Sequence, residues 1–111
     1  MMAALVAIID NTDDRIAEEI QAVQYTAYLQ EAKLLDATWL PPLERIAADI
    51  RRSTDHFFGA YIDDVLVGVA SIDSSDPRLA PSISSLTDLP QYQRRGAARQ
   101  PLSTLLAATG T

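Results

Sequence analysis

Pro90-Gln91-Tyr92-Gln93-Arg94-Arg95-Gly96-Ala97-Ala98-Arg99 is the stretch that decides the reading of this chain. Residues 82–87, Ser-Ile-Ser-Ser-Leu-Thr, precede it as a strand-like run, and residues 97–108 follow as a helix-like run. A strand, a basic turn and a helix start together make an anion cradle. The first N–H groups of a helix have no partner within it, and its dipole favours negative charge at that end. Gly96 carries no side chain to hold a ligand away from the backbone. Arg94, Arg95 and Arg99 add charge suited to a pyrophosphate. Read as structure alone, the same arginines form a solvated face. Arginine is electrostatically misplaced at a helix N-terminus, which weakens that alternative.

Outward from the turn, charge is unevenly spread. The net charge is −6, yet residues 82–111 hold three Arg and one Asp, leaving −8 on residues 1–81. An acidic chain with one basic segment argues against a nucleic-acid partner. At 111 residues the chain is expected to form one domain. No apolar run approaches the roughly 20 residues of a membrane span, so no membrane partner is expected. Residues 1–9 lack a basic flank and run into Asp10, which reads as a strand rather than a signal peptide. The absence of cysteine excludes disulfides and thiolate metal sites, and suits a cytoplasmic location.

Upstream, residues 5–9 are short, apolar and rich in branched side chains, and predict a first strand. Ile16, Ile20, Val23 and Ala27 recur at helical spacing behind the capping candidates of residues 11–14, predicting a helix over 13–35. Pro42 predicts the start of a second helix with Leu43, Ile46, Ala47 and Ile50 on its buried side. Strands are predicted at 56–62, 65–72 and 82–87, with Asp63-Asp64 as a two-residue turn and 74–81 as a loop.

The turn and its flanks resemble the GNAT superfamily of N-acetyltransferases, whose signature before the third helix reads Q/R-x-x-G-x-G/A. Here it is Gln93-Arg94-Arg95-Gly96-Ala97-Ala98, preceded by Leu86, Pro90 and Tyr92. Residues 59–68, Gly-Ala-Tyr-Ile-Asp-Asp-Val-Leu-Val-Gly, also look like the second and third strands of that family. The resemblance implies an α/β fold: the N-terminal part of a GNAT domain, with a mixed, mostly antiparallel sheet of about four strands and three helices. It implies acetyl-coenzyme A as cosubstrate and acetyl transfer to a small-molecule or peptide amine. It implies that Gln93, Arg94, Arg95, Gly96, Ala97 and Ala98 bind the pyrophosphate, and that Leu86, Thr87 and Asp88 pair with the pantetheine arm. In that mechanism an amine attacks the thioester carbonyl, backbone N–H groups stabilise the oxyanion, and coenzyme A leaves.

Three departures bear on function. Family members continue past the third helix with a fifth strand, which forms the other wall of the groove. In many a tyrosine beyond that strand protonates the leaving thiolate. No residue here corresponds, so residues 1–111 are expected to be a truncated GNAT-like domain with unassigned catalytic residues. The alternative is a non-catalytic module that binds coenzyme A weakly or only self-associates. Pro101 removes one backbone hydrogen bond about a turn into the last helix, which places the regular helix start nearer Gln100. Asp88 replaces an apolar residue and is expected to be exposed at the strand end.

Tyr25, Tyr28 and Trp39 lie where the family borders its acceptor, but aromatic residues at helical spacing read first as core. Glu31 and Asp36 are candidates to attract a cationic acceptor, against the plainer reading of a solvated helix face. His56 is the only histidine and reads as structural or solvent-facing. With nothing to pair against the outer edge of residues 82–87, the chain is expected to be a homo-oligomer.

Overall fold

The computed structural model describes residues 5–39, 44–93 and 99–108. Its centre is a hairpin of two strands, labelled here in chain order as β2 (His56–Ile62) and β3 (Val65–Asp73). Asp63 and Asp64 both take positive φ, 50° and 64°, which is the backbone of a two-residue turn whose twist matches the strands. Aspartate tolerates that conformation better than most residues because its short side chain bonds locally.

Strand β1 (Leu5–Ile9) pairs with β2, and β4 (Ser82–Asp88) pairs with β3, giving the order β1-β2-β3-β4. Every pairing is antiparallel, so among the described residues the sheet is not mixed as expected. The cause is connectivity, since β2, β3 and β4 follow one another as a meander and no crossover separates neighbours. Two bulges interrupt the ladders. Tyr61 faces Leu66 while Ala60 faces Gly68, leaving Val67 as the extra residue. Ser71 faces Ser85 while Ile72 faces Ile83, leaving Ser84 extra on β4.

Helix α1 (Asp14–Leu34) lies against one face. Asp13 caps it, its Oδ1 accepting the N–H of Ile16 at 3.1 Å. Helix α2 (Ala47–Arg52) packs beside α1. It starts later than Pro42, and residues 40–43, including Leu43, lie outside the described residues. At its start the Ile46 N–H donates to Asp49 Oδ2 at 3.0 Å, one half of a capping box, because isoleucine offers no acceptor in return. Arg51 reaches back to Asp14 at 3.4 Å, joining the two helices.

Strand alternation sorts the core into two halves. Towards α1 and α2 point Ile9, Phe57, Leu66 and Val69, meeting Ala17, Ile20, Val23 and Ile50. On the other side Phe58, Ala60, Ile62, Val67, Ala70 and Ile72 meet Leu102 of the last helix, α4 (Arg99–Ala108). Each large side chain buried in this way contributes about 1.5–3 kcal/mol. The sheet is thus the middle of three layers. Buried Asn11 ties the end of β1 to α2, donating from Nδ2 to the carbonyls of Ile50 at 2.7 Å and Ser53 at 3.1 Å.

Between β4 and α4 the chain forms a further one-turn helix, α3 (Pro90–Gln93), where a plain turn was expected. Tyr92 N–H bonds the carbonyl of Leu89 at 2.9 Å, and Pro90 suits a first helical position because its missing N–H is not needed there. With α3 the described residues hold four helical segments rather than three. Helix α4 is described over Arg99–Ala108 and accommodates Pro101 near the start of that span. The expected helix start at Ala97 lies outside the described residues.

Candidate functional site

The edge of β4 and the second half of α1 enclose a cleft of about 380 Å³. On the strand side it is lined by Leu86, Thr87 and Asp88. On the helix side it is lined by Ala27, Tyr28, Gln30, Glu31 and Leu34. On α1, the buried positions Ile20 and Val23 meet the sheet core, and the later turns line the cleft opposite the end of β4. Among the described residues no strand pairs with the outer edge of β4.

A polar contact seats α1 on this strand. Ser85 lies opposite Ser71, and their hydroxyls are 2.7 Å apart. Gln24 reaches down from α1, its Nε2 lying 3.5 Å from Ser85 Oγ. Gln24 and Ser71 are both buried, so each group needs a partner, and this trio supplies it. The sequence reading passed over Gln24. The signal was its place four residues after Ile20, on the helix face that faces the sheet.

Thr87 lies opposite Val69 on the α1 side, and its Oγ1 approaches the Val69 carbonyl at 3.4 Å. Leu86 lies opposite Ala70 and packs against the α4 core. Asp88 corrects an expectation. It is only 1% exposed, whereas a solvated carboxylate at the strand end was predicted. The strand runs one residue further than predicted, so Asp88 stays in the ladder opposite Gly68, which has no side chain to crowd it.

The helix wall carries the titratable groups. Burial raises the pKa of the Tyr28 phenol, the Glu31 carboxylate adds to the rise, and Arg45 opposes it. Tyr28 is therefore a neutral hydroxyl, able to donate, throughout the neutral range. Glu31 is exposed at the cleft and presents a negative charge there. Of the aromatic residues expected in the core, Tyr28 is half-buried, while Tyr25 and Trp39 are exposed, Trp39 by 52%. Tyr25 lies away from the Ile20–Val23 face of α1, and Trp39 lies in the loop past the end of that helix. Asp36 lies exposed just past α1 with positive φ, outside the cleft lining. His56 is exposed at the start of β2.

Of the predicted pyrophosphate residues, Gln93 ends α3. Arg94, Arg95, Gly96, Ala97 and Ala98 lie outside the described residues. A second hollow, of about 310 Å³, lies between Glu19, Ala22 and Thr26 of α1 and the 64–66 turn, and contains none of the predicted site positions. Among the described residues no group of three or more His, Cys, Asp or Glu is placed to hold a metal. No helix among them is long and apolar enough to cross a membrane.

The profile of the Acetyltransferase (GNAT) family matches residues 15–109. The chain belongs to the GNAT acetyltransferase family. Its three-layer arrangement, with an antiparallel sheet entered through β1 and two helices, is consistent with that membership. GNAT acetyltransferases generally use acetyl-coenzyme A. The chain is also similar to UPF0157 protein YqkA of Bacillus subtilis, at 30% identity over 95 residues. That alignment covers 86% of this chain and 27% of YqkA, so the chain spans about a quarter of that relative's length. No solved structure matches the chain.

Proposed function

We propose that this GNAT chain serves an acetyl-coenzyme A-dependent N-acetyltransferase, acting on an amine acceptor whose structure is open. The observation that carries the reading is the cleft along Leu86, Thr87 and Asp88, the positions at which the family resemblance puts the pantetheine arm. The residues fit the cosubstrate in kind. A strand edge suits an extended arm bearing amide groups, and the adjoining basic stretch Gln93, Arg94, Arg95, Gly96, Ala97 and Ala98 suits a pyrophosphate. Bound there, the cosubstrate would supply a thioester carbonyl to an attacking amine nitrogen.

The chain's own groups then have distinct tasks. Glu31 attracts an ammonium acceptor to the mouth of the cleft, and Tyr28 offers a neutral hydroxyl beside it. The Gln24–Ser85–Ser71 contact holds α1 at a fixed height over β4 and so sets the width between the two walls. A second reading is a non-catalytic module that binds coenzyme A weakly. It draws on the fact that, among the described residues, only one strand borders the cleft.

Thermal unfolding and a thiol-release assay together test both readings. Coenzyme A should raise the melting temperature by preferential binding to the folded chain. Acetyl-coenzyme A with an acceptor amine should release free thiol, which a thiol reagent detects without background because the chain contains no cysteine. A melting shift without thiol release across a panel of amines favours the non-catalytic module. No shift at millimolar coenzyme A rejects both.

A further inference from the structure

The outer edge of β1, at the end of the sheet away from the cleft, has the features of an interface. Leu5 is 76% exposed and Ile8 is 80% exposed, on a strand that ends the sheet. Edge strands are ordinarily protected from other chains by charge, proline or a bulge. Residues 5–9 are Leu-Val-Ala-Ile-Ile, with no charge and no proline. Their register against β2 is regular from Leu5 opposite Tyr61 to Ile9 opposite Phe57. The β4 edge, where oligomerisation was expected, differs in each respect. It is rich in serine, carries a bulge, and shares a cleft with α1.

We infer that β1 is a self-association edge, pairing antiparallel with β1 of a second copy about a two-fold axis through Ala7. The occupant follows from the register. A two-fold perpendicular to the sheet keeps each side chain on its own face, because side chains alternate with period two. It sets Leu5 beside Ile9 of the partner subunit on the α1 face. It sets Ile8 beside Val6 of the partner subunit on the α4 face. In the single chain Ile9 is buried and Val6 is partly buried against the α4 core. Each exposed apolar side chain of one copy thus lands next to the edge of the other copy's core, and the two sheets become one of eight strands. The clefts at β4 are left at the two far ends, so the pairing and the cleft are independent.

Light scattering coupled to chromatography, without any ligand, tests the pairing. The expected mass at micromolar concentration is twice the 12.1 kDa of one chain. Ile8→Lys should halve that mass and leave the circular dichroism and cooperative melting in place, since the side chain is exposed. Single cysteines fix the register in a chain that has none. Ala7→Cys should form a disulfide-linked dimer on mild oxidation, because residues facing each other across antiparallel strands have Cα atoms about 4.5–5.5 Å apart. Ser84→Cys on β4 should not. A concentration-independent mass of one chain overturns the proposal. So does a dimer that survives Ile8→Lys, or one that crosslinks through Ser84→Cys and not Ala7→Cys.

Discussion

The two edge strands of this sheet are built from opposite materials. β1 is five apolar residues, with two of its larger side chains exposed. β4 is Ser-Ile-Ser-Ser-Leu-Thr-Asp, and its last residues are drawn inward by hydroxyl contacts and by the ladder to β3. The contrast teaches that an edge is defined by what lies over it as much as by its own residues. At β4, the second half of α1 makes the end of the strand one wall of a cleft. Beside β1, Leu5 and Ile8 stay exposed, and among the described residues no helix covers the strand in the same way.

The most damaging way to break the comparison is to remove the core that both edges share. Phe57 is buried, faces Ile9 across β1 and β2, and packs beside Ile20 and Ile50. Phe57→Ala should cost about 3–5 kcal/mol, read as a lower denaturant midpoint. Association through β1 and ligand response at β4 should then decline together. If one survives unchanged, the two edges do not depend on a common core.

A smaller change should affect one edge alone. Ser71→Ala removes the hydroxyl that meets Ser85 Oγ at 2.7 Å and leaves Gln24 as the remaining side-chain contact of Ser85, at a cost of about 1–3 kcal/mol. The loss should weaken coenzyme A binding by loosening the seat of α1, with the chain's mass in solution unchanged. A double-mutant cycle with Ser85→Ala should show that the two losses are not additive. Full additivity would mean that the hydroxyl contact does not set the cleft.

The smallest expected effect is on pH dependence. Burial and Glu31 raise the Tyr28 pKa, so the folded state holds the phenolic proton more tightly than the unfolded state does. The resulting stability is complete below about pH 10 and is lost as pH rises through the folded value. Tyr28→Phe should remove this part of the alkaline decline in melting temperature. An identical alkaline profile in the variant would show that the phenol is not held in the cleft wall.

Much of this arrangement was legible in the sequence, for identifiable reasons. A 3.6-residue apolar repeat behind Asp13 marked α1 to within a residue at each end, because the cap and the periodicity agree. The apolar runs and the Asp-Asp turn marked β2 and β3 because a central hairpin needs little from elsewhere in the chain. Asp88 was misread because its burial depends on a ladder to Gly68, a contact twenty residues away that no local rule carries. Gln24 was missed because a glutamine among apolar positions shows its role only when Ser85 is beneath it. Tyr25 was misplaced because it points away from the Ile20–Val23 face, and Trp39 because it lies past the end of α1, where no periodicity applies. The basic turn that led to the family lies mostly outside the described residues, so its cradle rests on sequence.

Amide chemical-shift mapping during a coenzyme A titration tests the central assignment most directly. If β4 is the ligand-binding edge, Leu86, Thr87 and Asp88 should shift together with residues 93–98, and Leu5, Val6, Ala7, Ile8 and Ile9 should stay still. Saturable shifts that avoid residues 86–88, or that centre on the hollow beside Glu19 and Thr26, would contradict it.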